Sequence, residues 1–102
     1  MVYLITYDLK TKNRDYTSLY TTIQQLGECI HPLESVWFAD TRERNLNADQ
    51  ITAILRANMA DADLLFVVSV DESDRNGWMA KSAWPWIRGR EVRRSQPGNR
   101  SA

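Results

Sequence analysis

Apolar residues in this chain alternate between two periods, and that alternation most restricts the folds open to it. Residues 2–9 are almost continuously apolar, β-branched or aromatic, the pattern of a strand covered on both faces or buried against a partner. Tyr16, Leu19, Tyr20, Ile23 and Leu26 then recur at helical spacing and form one stripe. Asp15 stands where an N-cap belongs, and Gly27 where a left-handed C′ residue would end the helix. Residues 28–40 are extended in character but interrupted near Pro32. Proline cannot donate to a sheet ladder, so it belongs at an edge, a bulge or the join of two short strands. A second helix begins at Asn47, where Gln50 completes a capping box and Leu46 and Ile51 form a hydrophobic staple. Ile51, Ile54, Leu55 and Met59 carry its buried face, and Asp61-Ala62-Asp63 turns the chain into residues 64–70, its most apolar strand.

Two helices crossing between strands that are not sequence neighbours predict an α+β fold, a ferredoxin-like βαββαβ sandwich with both helices on one face of the sheet. A three-stranded flavodoxin-like fragment is disfavoured, because its sheet is too small to cover two helices. At 102 residues and 11.8 kDa the chain has room for one domain, placed at residues 1–87. So small a core gains from association with a second copy. A polar connector at 71–77 leads into a short aromatic segment at 78–87, which Pro85 is expected to limit to about one helical turn. Trp78, Trp84 and Trp86 are expected to bury against the sheet, the helices or another subunit, with a base-stacking platform as the functional alternative.

Charge is unevenly spread. Thirteen basic and thirteen acidic residues cancel, so net charge makes no case for nucleic acid or membrane. Residues 88–102, however, set five arginines against Glu91. That tail is expected to be mobile beyond Arg94, either as an arm that touches phosphates or as a solubilising extension. A single cysteine, Cys29, excludes an internal disulfide and cannot build a zinc site with the single histidine, His31. The first residues lack a basic leader region, and no apolar run approaches the roughly 18–20 residues of a membrane span. A cytoplasmic protein is expected.

Few residues offer chemistry. Glycine-rich phosphate loops and Cys-His clusters are missing from the sequence. Cys29 and His31 share one face of an extended segment, which suits a Cys-His pair or simply a half-buried thiol beside a strand histidine. Asp8 stands out because it closes an apolar strand, and carboxylates are rarely buried without a partner or a metal. Its ordinary reading is a strand-end residue that caps the following turn.

Tyr7-Asp8-Leu9, the basic loop after it, a helix of this length and Ser35-Val36-Trp37-Phe38 on the next strand resemble the CRISPR-associated protein two family. VapD toxins are similar in fold and share the early aspartate. Leu33-Glu34-Ser35-Val36-Trp37-Phe38, with Gly77-Trp78 and Ala83-Trp84, looks closer still to a SinR-like bacterial branch. The resemblance implies a homodimer with facing sheets and a hydrated Mg²⁺ or Mn²⁺ shared by two Asp8 carboxylates across the dyad. It also implies a metal-dependent endonuclease acting on RNA or DNA, with a CRISPR integrase or an antitoxin as partner. Carried over by position, Asp8 is the metal ligand, Arg14 a contact for phosphate or transition-state charge, and Ser35 a backbone contact. Lys10, Lys12 and Arg14, with Arg90, Arg93 and Arg94 of the tail, are the candidate nucleic-acid contacts. The alternative is a non-catalytic dimeric scaffold for nucleic acid or protein. Trp37 departs from the usual phenylalanine of the family, and the first loop carries few arginines.

Overall fold

The computed structural model describes residues 1–70 and 74–95, which divide into two compact units, Met1–Val70 and Asp71–Ala102. The first unit runs β1 (Val2–Asp8), α1 (Thr17–Gln24), β2 (Glu28–Leu33), β3 (Val36–Asp40), α2 (Ala48–Arg56) and β4 (Leu64–Ser69). Its strands form one antiparallel sheet in the order β2-β3-β1-β4. With α3 (Ala83–Ser95) of the second unit, the chain is an α+β protein with a four-stranded antiparallel sheet and three helices, compatible with a ferredoxin-like arrangement.

Alternation along β1 decides the layers. Tyr3, Ile5 and Tyr7 point to one face, where they pack with Trp37 and Ala39 of β3, Leu19 and Ile23 of α1, and Ile51 and Leu55 of α2. Leu4 and Thr6 point to the other face. Pairing places Leu33, Val36, Thr6 and Phe66 in one row across that second face, with Asp8 opposite Leu64 in the next. Leu33, Leu64 and Phe66 are all exposed, Phe66 to 61%.

Local signals explain most boundaries. The capping box of α2 forms as expected: Gln50 N–H donates to Asn47 Oδ1 at 2.8 Å, and Asn47 N–H to Gln50 Oε1 at 2.9 Å. Pro32 lies in the irregular stretch between Ile30 and Leu33 of the edge strand β2. At α1 the N-cap position falls on Tyr16, one residue later than expected, and the Asp15 carboxylate still accepts Thr17 N–H at 2.9 Å.

Gly27 serves a different purpose from the expected C′ cap. Gln25 and Leu26 continue past α1 in tightened turns, and Gly27 has φ +157°. A Cβ there would lie 2.0 Å from the Asp40 carbonyl oxygen. Close backbone approach, rather than helix termination, demands the glycine.

The second unit corrects three expectations. Pro85 does not confine the aromatic segment to one turn; it sits in the first turn of the thirteen-residue α3. There the N–H it lacks has no intrahelical acceptor to lose. Residues 88–95, expected in a polar tail, continue this helix because arginine and glutamate are good helix formers; residues 96–102 lie outside the described residues. Trp78 is 98% exposed rather than buried. Among the described residues no helix is long and apolar enough to cross a membrane.

Candidate functional site

The C-terminal end of β1 gathers the candidate residues of the first unit. Asp8 projects its carboxylate from the sheet face opposite the core, with the side chain 60% exposed. Lys10 Nζ lies 2.9 Å from Asp8 Oδ2. Ser35, in the tight turn between β2 and β3, is drawn to the same end, since its carbonyl accepts Tyr7 N–H at 3.3 Å. Thr6, Asp8, Leu64 and Phe66 line a shallow groove of about 230 Å³ there, floored by Tyr7 and Leu65. A smaller cavity of about 70 Å³ lies near Gly27 and Asp40, at the other end of β1.

The loop after Asp8 is held by a residue that the sequence marks only as part of a turn. Asp63, 4% exposed, accepts Lys10 N–H at 2.7 Å, Ala60 N–H at 2.8 Å and the Tyr16 hydroxyl at 2.8 Å. Burial alone would raise its pKa. Those hydrogen bonds and the positive charge of Arg14 outweigh burial and hold the carboxyl below its ordinary range. A tyrosine three residues before a helical leucine gives no hint in sequence that its hydroxyl reaches an acid in a distant turn, so the partnership was not legible.

Asp63→Ala strands these donors and is expected to lower the melting temperature by roughly 5–10 °C at pH 7. Because the folded pKa is depressed, the carboxylate stabilises the fold above its ordinary pKa and loses that effect as pH falls through the folded value. The gap between the melting temperatures of the two proteins should therefore narrow as pH is lowered below the ordinary carboxylate range.

The other candidates separate. Arg14 sits with its guanidinium 5.4 Å from the centre of the Tyr16 ring, on the Asp63 side of the loop. Lys12 is exposed on the same loop. Arg90 is 7% exposed, with its guanidinium 4.0 Å from the centre of the Trp86 ring, so it does not present itself to a phosphate. Arg93 and Arg94 are in α3, but their side chains lie outside the described residues.

His31 is engaged by partners other than Cys29. The His31 ring stacks on Trp37 with centroids 3.9 Å apart and donates from Nε2 to the Glu34 carbonyl at 2.9 Å. Burial pushes the Cys29 thiol up, away from the thiolate. Trp37 in turn donates from Nε1 to the Tyr7 hydroxyl at 3.0 Å, so this aromatic cluster braces the strand that ends in Asp8.

Asp8 is the kind of hard oxygen donor that Mg²⁺ and Mn²⁺ prefer, and it is accessible. Among the described residues, however, no group of three His, Cys, Asp or Glu side chains could hold a metal ion. Among the described residues the donors around Asp8 therefore suit such an ion in kind and fall short in number. Compared with known proteins, the chain matches no family model, no curated protein and no solved structure.

Proposed function

We propose that this chain is a ferredoxin-like domain that works as a homodimer and hydrolyses phosphodiester bonds in RNA or DNA, with Mg²⁺ or Mn²⁺ held between two Asp8 carboxylates. The observation that carries the reading is the surroundings of Asp8. An exposed carboxylate borders a row in which Leu33 and Phe66 are exposed and Val36 and Thr6 half-buried, with exposed Leu64 beside it. Exposed apolar side chains grouped around a polar residue mark an interaction surface more often than a free one. A second copy covering this face across a two-fold axis places like residues opposite like residues, which brings the two Asp8 side chains towards each other. The Tyr7-Asp8-Leu9 and Ser35-Val36-Trp37-Phe38 motifs add the resemblance to the CRISPR-associated protein two family.

When bound, such an ion would supply Lewis-acid polarisation of a phosphate oxygen and ease the loss of a proton from the attacking water. The chain contributes position. Asp8 would hold the ion from the end of a braced strand, and Ser35 would offer its hydroxyl to the nucleic-acid backbone at the same end. Arg14, Lys10 and Lys12 supply positive charge to the phosphates from the loop that Asp63 anchors.

Cleavage of single- and double-stranded RNA and DNA in Mg²⁺ or Mn²⁺ is the direct test. Asp8→Asn should lower the rate by on the order of 100-fold or more while leaving sedimentation unchanged, since disturbing even an outer partner of a metal ligand costs 10–100-fold. Equal rates for the two proteins would remove Asp8 from the chemistry. Wild-type protein that binds nucleic acid and never cuts it would instead support the scaffold reading.

A further inference from the structure

We propose that the second unit holds a binding site for single-stranded nucleic acid, in which a base stacks on Trp78 while Lys81 and Arg88 meet the phosphates beside it. The site lies within residues 78–88. It goes beyond the cleavage reading and needs neither Asp8 nor a metal ion.

Trp78 carries the inference. Tryptophan is highly buried on average, because so large a ring gains much by leaving water. This one is 98% exposed. Its root is placed all the same. A Cβ built on the preceding residue, Gly77, would lie 3.6 Å from Cη2 of Trp84 in the first turn of α3, so the backbone that enters Trp78 runs beside that ring. The other two rings of the segment are half-buried and engaged, Trp84 by Gly77 and Trp86 by the Arg90 guanidinium 4.0 Å from its centre. Trp78 keeps its faces open.

Charge selects the occupant. Residues 75–102 hold seven bases and one acid, Glu91, whereas residues 1–74 hold six bases and twelve acids. A polyanion is therefore drawn to the second unit rather than the first. Arg88 is exposed four residues after Trp84, and so on the same side of α3, and Lys81 is exposed between Trp78 and the helix. An open aromatic face beside exposed cations suits unpaired nucleotides, whose bases stack on any flat ring while their phosphates meet the charge. Bases within a duplex are stacked on one another and offer Trp78 no face. A membrane surface requires an open apolar face on the helix as well, and Ala83 and Ile87 of α3 are buried.

The test measures fluorescence anisotropy of a labelled oligothymidylate of about 15 nucleotides with the full chain in chelator. A duplex of the same length and vesicles of phosphatidylserine and phosphatidylcholine are the comparison probes. Wild type should bind the single strand more tightly than the duplex, and less tightly as salt rises. Trp78→Ala should weaken that binding by about 5-fold or more, and Trp78→Phe should recover most of it. Arg88→Gln should reduce the salt slope by about 0.7. Side chains this exposed contribute little packing, so the variants keep the fold. Equal affinity of wild type and Trp78→Ala for the single strand, a preference for the duplex, or binding to vesicles alone each overturns the site. So does the absence of any binding. The cleavage reading is decided separately, by the rates of Asp8→Asn.

Discussion

Gly27→Ala is expected to remove most of the stability of the sheet-containing unit. The added methyl would meet the Asp40 carbonyl oxygen at 2.0 Å and its carbon at 3.0 Å, and both belong to backbone that no rotamer change can move aside. The φ of +157° adds conformational strain for any residue with a side chain. Strain of about 1–3 kcal/mol and a forced backbone shift of about 1–3 kcal/mol together approach the whole stability expected of a small domain, about 5 kcal/mol. Gly89→Ala is the matched control. Gly89 lies within α3 with nothing inside 4 Å of an added methyl, so helix propensity should leave that variant unchanged or up to about 1 kcal/mol more stable. Denaturant midpoints for the two variants check the contrast, and equal midpoints would show that the approach of Gly27 to Asp40 is not structural.

Phe66→Asp is expected to abolish self-association without unfolding the protein. Phe66 is already 61% exposed in the single chain, so an aspartate there costs little core packing. It lies opposite Thr6 and one row from Asp8, within the face proposed to meet its own copy. Across a dyad the substitution counts twice and sets two further carboxylates beside the Asp8 pair. Loss of a central aromatic anchor typically weakens association by 2 kcal/mol or more, and the added repulsion takes the expected loss to about 100-fold. Sedimentation velocity over a range of concentrations, beside far-ultraviolet circular dichroism, measures both parts. A folded variant that associates as wild type does would place the interface elsewhere.

What could be read from sequence was what neighbours in sequence decide. Asn47 and Gln50 cap a helix through contacts three residues apart, and Pro32 excludes itself from a central strand by its own chemistry. Tyr3, Ile5 and Tyr7 reveal a strand face by alternation. Gly27 was read as a local helix stop because the strand end it touches, Asp40, lies beyond a hairpin. Asp63 was read as a turn residue because its partners Lys10 and Tyr16 are some fifty positions away. Asp8 was legible as unusual, but its neighbours were not: Leu64 stands beside it only through the register of β4. Pro85 misled for a different reason. The rule that proline interrupts helices loses its force in the first turn, and nothing local shows where that turn begins.

The two margins of the sheet are unequally defended. On β2, Glu28 and Pro32 with its irregular pairing discourage a further strand, whereas β4 from Leu64 to Ser69 holds no charge, proline or glycine. By composition, then, β2 resists taking on a neighbouring strand in a way that β4 does not.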